Sequence, residues 1–513
     1  MNPRIKKWKQ ALVRHRIFAI VLLLIQFALL AFMISSTTRV SSIIRDILSL
    51  IGFLAALYVI GKEGEPTAKL TWVFLIMLVP VFGGLFYLFY TYQYGKKNLR
   101  KLLGRAEESL MPLFFSELSV LQALESEEHD DLSLMRYLEG CCHFPVYAHT
   151  EVNFYSPGED FYPVLIEELK KAERYIFIES FIIEEGTMWN GILDILREKV
   201  SQGLNVRVLY DDVGCFFTLP KDYCKQLQSY GIQAKTFNPF RATPAVTQNQ
   251  RDHRKIISID GKTVFTGGSN LADEYINLYP KHGHWHDSMI RVRGEAAWCL
   301  TLISLQLHDI NAGSEEIAKL CPWQDEPCEI ESDGYVQPYG DNPLRGERVG
   351  ENVYLHVIQH AKDYVYIDTP YLVIDDTMVR ALSLSAKCGV DVRIVTPRIP
   401  DHPMVQMCSR SFYAQLIRAG VKIYEYTPGF MHSKICVSDD RIAVVGSSNF
   451  DYRSMYQQFE DGAVLYGCSA IDDIKSNYLH TLELCERKRE NEFAATMPQR
   501  LWHEILRLFS PLM

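Results

Sequence analysis

The chain has 513 residues, 48% of them hydrophobic and 22% charged, with a formal net charge of -9. That length exceeds one ordinary domain, and the acidic balance argues against a general nucleic-acid binder, which carries a basic surplus. Twelve cysteines lie scattered, without C-x-x-C or zinc-type Cys/His spacing, so a reducing compartment fits and neither a metal nor another cofactor is expected.

The apolar residues gather at the N-terminus. IFAIVLLLIQFALLAFMI (17–34) and LTWVFLIMLVPVFGGLFYLFY (70–90) are uncharged, and a shorter run occupies 43–60. About 20 apolar residues span a bilayer as a helix, so transmembrane spans are expected at 17–34, 43–60 and 70–90, within an N-terminal region of residues 1–95. A signal peptide is disfavoured, because no small-residue cleavage site follows the first run. Lys and Arg flank both ends of this region, and three spans cannot place both flanks on one side of the membrane. The expected localisation is the cell membrane, multi-pass, with the side left open.

Residues 96–142 read as a linker with a surface helix. From about residue 143 helical and extended patterns alternate, which predicts an α/β fold. YIFIESFII at Tyr175 returns as YVYIDTPYLVI at Tyr364, GLNVRVLYD at Gly203 as GVDVRIVTP at Gly389, and YGIQAKTFNPF at Tyr230 as AGVKIYEYTPGF at Ala419. The spacings are 189, 186 and 189 residues, so one whole domain is duplicated, as 143–330 and 331–513. The C-terminal LWHEILRLFSPLM has helical periodicity and is expected to pack on the core, with lying on the membrane as the alternative.

Each copy carries H-x-K-x-x-x-x-D: His253, Lys255 and Asp260 in HRKIISID, His432, Lys434 and Asp439 in HSKICVSD. Along a strand, His and Lys two apart project from one face. The aspartate falls on the other face or in the following turn. A second strand follows in each copy and ends in small donors, Ser269 and Asn270 or Ser448 and Asn449, at the same distance of 179 residues. One such motif is weak; two in register are not chance.

These residue types suit a phosphodiester. Two ammonium groups and neutral Ser and Asn donors supply positive potential around phosphate oxygens. One imidazole attacks phosphorus, and the other protonates the departing alkoxide and later deprotonates the incoming alcohol or water. The scheme requires no metal.

The paired motifs resemble the phospholipase D superfamily. NQRDHRKIISIDGKTVFTGGSNLADEYIN (249–277), WHDSMIRVRG (285–294), YVYIDTPYLVIDD (364–376) and MHSKICVSDDRIAVVGSSNFDYRS (431–454) are similar to bacterial cardiolipin synthases, as is the apolar segment 64–90. The resemblance implies two duplicated phospholipase D-like α/β sandwich domains related by a pseudo-twofold axis, behind the transmembrane helices. It implies His253 as nucleophile, His432 as acid and base, and Asp287 and Glu460 as carboxylates that each orient a histidine of the opposite half. Gln458 stands where that family often has Asn. The implied reaction joins two phosphatidylglycerol molecules into cardiolipin and glycerol at the membrane, with no nucleic-acid partner. A phospholipase D or another phosphatidyltransferase, and a catalytically dead membrane scaffold, are the alternatives. The oligomeric state is left open.

Overall fold

The computed structural model describes residues 39–512, apart from 79–82, 85–86, 88–95, 115–117, 127–129, 241–248, 310–312, 324–326, 332 and 494–495. The chain divides into two compact units. One comprises Met1–Lys97, Phe240–Asn249 and Glu504–Met513, the other Asn98–Pro239 and Gln250–His503.

In the first unit the helices Arg39–Gly61 and Pro66–Leu78 form a hairpin. Glu65 ends the turn between them: its carboxylate accepts from Thr67 N at 2.8 Å and Ala68 N at 2.5 Å, satisfying two free donors of the second helix. Ala55, Ala56 and Val59 pack on Ile76 and Tyr87, while Ile47, Leu50, Leu54 and Leu57 are exposed.

Among the described residues no helix is long and apolar enough to cross a membrane; the span expected at 70–90 lies partly outside the described residues. In Arg39–Gly61 the uncharged stretch begins only after Asp46 and covers residues 47–61. At 1.5 Å per residue that is about 22 Å, short of a hydrocarbon core of about 30 Å. The described helix in the second region is Pro66–Leu78, 13 residues. The span expected at 17–34 lies outside the described residues.

In the C-terminal helix Met497–Phe509 Leu506 is buried, whereas Leu501, Trp502 and Ile505 are exposed.

The second unit holds the duplicated α/β structure. Its first half contributes strands β1 (Thr150–Tyr155), β2 (Tyr175–Ser180), β3 (Asn205–Asp211), β4 (Gln233–Phe237), β5 (Arg251–Asp252), β6 (Ile256–Ile259), β7 (Thr263–Gly267), β8 (His284–His286) and β9 (Met289–Gly294). The second half contributes β10 (Tyr335–Asp341), β11 (Tyr364–Asp368), β12 (Leu372–Val373), β13 (Asp391–Pro397), β14 (Lys422–Tyr426), β15 (Gly429–Met431), β16 (Ile435–Ser438), β17 (Ile442–Gly446), β18 (Phe450–Asp451), β19 (Gln458–Tyr466) and β20 (Cys485–Arg487).

The sheet orders are β1-β9-β7-β6-β2-β3-β4 and β10-β19-β17-β16-β11-β13-β14-β20. Up to β14, position for position, they are the same sheet. Parallel pairs β2–β3–β4 and β11–β13–β14 form one side of each, the antiparallel strands the other. The central strands are covered on both faces, which is why YIFIES reads as a continuous apolar run instead of an alternating one. Helices Gly158–Lys171 and Thr187–Ser201 cover one face through Phe161, Leu165, Trp189 and Leu196. Helix Glu295–His308 covers the other through Trp298, Leu302 and Leu305.

Two short pairings join the halves. β5 runs parallel to the start of β19, matching Arg251 with Gln458 and Asp252 with Phe459. β15 runs parallel to β8, matching Phe430 with Trp285 and Met431 with His286. Both short strands end one residue before a motif histidine.

Asp260 and Asp439 belong to this framework. Each occupies a left-handed turn, with φ 55°. Asp260 accepts from the backbone N–H groups of Glu173, Arg174 and Tyr175 at 2.8–2.9 Å. Asp439 does the same for Lys362, Asp363 and Tyr364 at 2.7–3.0 Å. Each carboxylate ties its turn to the start of the neighbouring strand, β2 or β11. Removing either leaves three donors without their acceptor. We expect Asp260→Ala and Asp439→Ala each to cost about 1–3 kcal/mol in urea unfolding, with turnover per folded molecule retained.

Candidate active site

The histidines are placed by backbone pairing before any side chain acts. His253 N donates to Phe459 O at 2.9 Å, continuing the β5–β19 ladder, and His432 N donates to His286 O at 2.8 Å, continuing β15–β8. The residue after each acceptor is an acid of the opposite half. Glu460 therefore meets His253, its carboxylate oxygens 2.9 and 3.0 Å from Nδ1. Asp287 meets His432, with Oδ2 2.7 Å from Nδ1. With Nδ1 engaged, the Nε2 atom of each ring is the one available for chemistry.

Lys255 Nζ donates to His253 O at 2.5 Å. Lys434 Nζ donates to His432 O and lies 2.8 Å from its Nδ1. All six groups are buried: His253 is 6% exposed, His432 7%, and both acids 0%. Aromatic rings wall the site. Phe181 stands 5.0 Å from His253, and Tyr275, Trp285 and Phe430 stand 5.2–5.7 Å from His432.

Burial dominates the electrostatics and disfavours charge on every group. It holds His253 well below an ordinary imidazole, and the charges of Lys255, Lys434 and His432 push the same way. His432 falls to about 4, depressed by burial and Lys434 but drawn back by Asp287. Lys255 falls to about 8 and Lys434 to about 7, again through burial, with the acids opposing it. Burial raises Glu460; for Asp287 burial is outweighed by His432 and Lys434, which hold it below the usual aspartate range. Each histidine feels the other half's lysine, so the two motifs share one electrostatic neighbourhood.

The phosphate-binding candidates divide. Ser269 Oγ and Asn449 Oδ1 are buried and have no hydrogen-bond partner among the described residues. Asn270 is engaged: its amide donates to Tyr275 Oη at 2.6 Å and its oxygen accepts from Ile182 N at 3.1 Å. Ser448 is buried beside these groups, and its carbonyl accepts from Tyr354 Oη at 3.3 Å. Asp260 and Asp439 are not brought to the histidines. Both carboxylates are taken up by backbone donors ahead of β2 and β11, which corrects their grouping with the catalytic side chains.

Comparison with known proteins agrees with this architecture. A family model described as cardiolipin synthase, PLD-like domain, matches residues 165–282 and 354–481, and one described as phospholipase D-nuclease N-terminal matches 50–90. A cardiolipin synthase of Alkalihalophilus pseudofirmus is 34% identical, over 88% of this chain and 90% of its own length. The chain belongs to the cardiolipin synthase family of the phospholipase D superfamily. Cardiolipin synthase 2 of Bacillus cereus is 32% identical over 90% of each chain, and an uncharacterized Streptococcus mutans protein is 39% identical over 90% of this chain and 99% of its own. Phosphatidylserine synthase from Haemophilus influenzae shares the fold, with a TM-score of 0.56 at 17% identity, covering 74% of this chain and all of that one.

Several residues of this cardiolipin synthase site were not singled out from sequence. Ser447 Oγ donates to Glu460 Oε2 at 2.5 Å. Gln458, already noted from sequence, places its amide 3.0 Å from Glu460 Oε1 and so reaches the orienting acid. Ser447 is the counterpart of Gly268, where any Cβ would lie 2.0 Å from Asp287 Oδ1. Arg254, between His253 and Lys255, donates to Glu460 O at 3.2 Å and Ile303 O at 2.8 Å, fixing the strand that presents Glu460. The corresponding Ser433 instead shares a 2.7 Å hydrogen bond with Ser288. The only signal in sequence was the G-G-S-N against G-S-S-N and H-R-K against H-S-K difference between the two copies.

Glu460→Gln and Asp287→Asn remove the charge behind a histidine while keeping its shape. Each is expected to lower kcat by about 10²- to 10⁴-fold, the range of one acid–base group, in a steady-state assay. A pH profile tests the lysines. Both are ammonium at pH 6 and deprotonate as pH rises through about 7 and 8, so the potential that binds phosphate falls. We expect kcat/KM to decline above pH 7, with steepening loss past pH 8.

Proposed function

We propose that the enzyme transfers a phosphatidyl group between two phosphatidylglycerol molecules through a phospho-His253 intermediate. The reciprocal histidine–carboxylate pairing is the observation that carries this reading. His253 Nε2 attacks the donor phosphorus, a P–N bond forms, and the bond from phosphorus to the glycerol oxygen breaks. His432 gives that oxygen its proton, and glycerol leaves. His432 then takes the proton from a hydroxyl of the second phosphatidylglycerol. The new alkoxide attacks phosphorus, the P–N bond breaks, and cardiolipin is released.

Two observations support the division of labour. A nucleophile must be unprotonated, and burial with the neighbouring Lys255 and Lys434 keeps His253 neutral. A proton carrier must be the more basic partner, and the ionised Asp287 draws His432 upward. An anionic phosphodiester placed between the two lysines adds negative charge beside His432 and raises it further. The buried setting also keeps water from the phospho-histidine, which favours an alcohol acceptor.

Residence at the cell membrane belongs to the same proposal. It is supported by the exposed apolar side chains of helices Arg39–Gly61 and Pro66–Leu78, among them Phe53, Leu57, Leu70 and Met77. A tethered enzyme meets lipid substrates at high effective concentration.

The test is trapping with phosphorus-labelled phosphatidylglycerol in His253→Ala and His432→Ala variants. Label is expected on the His432→Ala protein and absent from His253→Ala. Label on His253→Ala alone reverses the roles, and phosphatidic acid as sole product of the intact enzyme makes it a phospholipase D.

A further inference from the structure

Around the site the second unit exposes large apolar side chains on three loops. The loop after β3 carries Phe217, 52% exposed. The loop and helix start after β13 carry Ile399, Met404 and Met407, with Met404 56% exposed. Leu278 and Tyr279 follow the short helical turn Asp273–Ile276, and Tyr279 is 58% exposed.

The first two loops are counterparts. β3 and β13 are related by 186 residues, and the same offset carries Phe217 to Pro403, next to Met404, so both related loops present apolar side chains outward. The loop after β3 is held, not loose. Asp211 accepts from Val213 N at 2.8 Å and Gly214 N at 3.0 Å, and Thr218 Oγ1 donates to Ile183 O at 2.6 Å. Phe217 is thus presented outward by a fixed turn. On the other loop, Gln406 donates to Pro397 O at 3.0 Å and Arg398 O at 2.9 Å.

Each loop connects directly to the site. Asp211 accepts from Asp252 N, the residue before His253, at 3.2 Å. Asp401, two residues past Ile399, accepts from Tyr371 Oη at 2.5 Å and acts electrostatically on Lys434 and Tyr275. Tyr275, whose ring is 5.2 Å from His432, precedes Leu278 by three residues.

We propose that Phe217, Leu278, Tyr279, Ile399, Met404 and Met407 form an apolar rim that seats the active-site mouth on the phospholipid bilayer surface. The inference rests on the phosphatidyl-transfer reading above. A lipid whose phosphorus must reach buried histidines has acyl chains that must not enter water. Apolar side chains bordering the entrance let the head group rise into the site while the chains stay among lipid. The contribution from both halves matches a reaction in which two lipids, donor and acceptor, enter one site.

The test uses the full-length enzyme in detergent and the triple variant Phe217→Ser, Tyr279→Ser, Met404→Ser. Two substrates are compared: phosphatidylglycerol in vesicles, and short-chain phosphatidylglycerol kept monomeric below its micellar concentration. The variant is expected to lose about tenfold in rate on vesicles and to keep the intact enzyme's rate on the monomeric lipid. Equal rates of variant and intact enzyme on vesicles overturn the rim. So does an equal fall on both substrates, or a lower solution mass of the variant than of the intact enzyme with vesicle turnover intact, which assigns the patch to a second copy of the chain. Failure of the intact enzyme to form cardiolipin from either substrate rejects the underlying reading instead. Quenching by vesicles of brominated lipid gives an independent measurement. Tryptophan introduced by Met404→Trp is expected to be quenched and that by Leu384→Trp, at an exposed position off these loops, is not; quenching of neither, or of both alike, contradicts the rim.

Discussion

The reciprocal crossing of two short strands governs this enzyme. β5 leaves the first half to pair with β19 of the second, and β15 leaves the second to pair with β8 of the first. Each pairing ends where a histidine begins and an acid of the other half follows. Neither half holds a complete site: His253 without Glu460, or His432 without Asp287, lacks the carboxylate that fixes its tautomer and leaves Nε2 for chemistry. Duplication therefore supplies two roles for one reaction, and the strand exchange makes them interdependent.

The electrostatics follow from that enclosure. Two lysines, two histidines and two acids lie together out of water, where each charge is stabilised only by the others. The arrangement is not symmetric in detail. Behind His253, Arg254 grips the strand of Glu460, and Asp461 accepts from Lys255 N at 3.2 Å and from Thr266 Oγ1. Behind His432 the same places hold the uncharged pair Ser433 and Ser288. Equivalent folds thus give the two imidazoles unlike surroundings, which is what a nucleophile and a proton carrier require.

Much of this was legible in the sequence because duplication preserves spacing. The repeat offsets marked equivalent strands, and the sheets indeed share one order. The His–Lys pairs were legible because residues two apart share a strand face. The crossing was not, since periodicity says which face a residue takes and nothing of which half it meets; the opposite-half acids came only with the family resemblance. The motif aspartates were grouped with the histidines because a motif records spacing and not purpose. Asp260 and Asp439 are turn residues whose carboxylates gather three backbone donors. At the C-terminus, helical spacing identified an apolar face, on which Trp502 is exposed.

The most direct measurement is the pre-steady-state burst with a phosphatidyl donor bearing p-nitrophenol, a leaving group that needs no proton. The first transfer then depends on His253 and Glu460 and bypasses His432 and Asp287. Asp287→Asn is expected to release a full burst of nitrophenolate followed by slow turnover, whereas Glu460→Gln shows no burst. A burst retained in Glu460→Gln and lost in Asp287→Asn would contradict the cross-half assignment of acid to histidine.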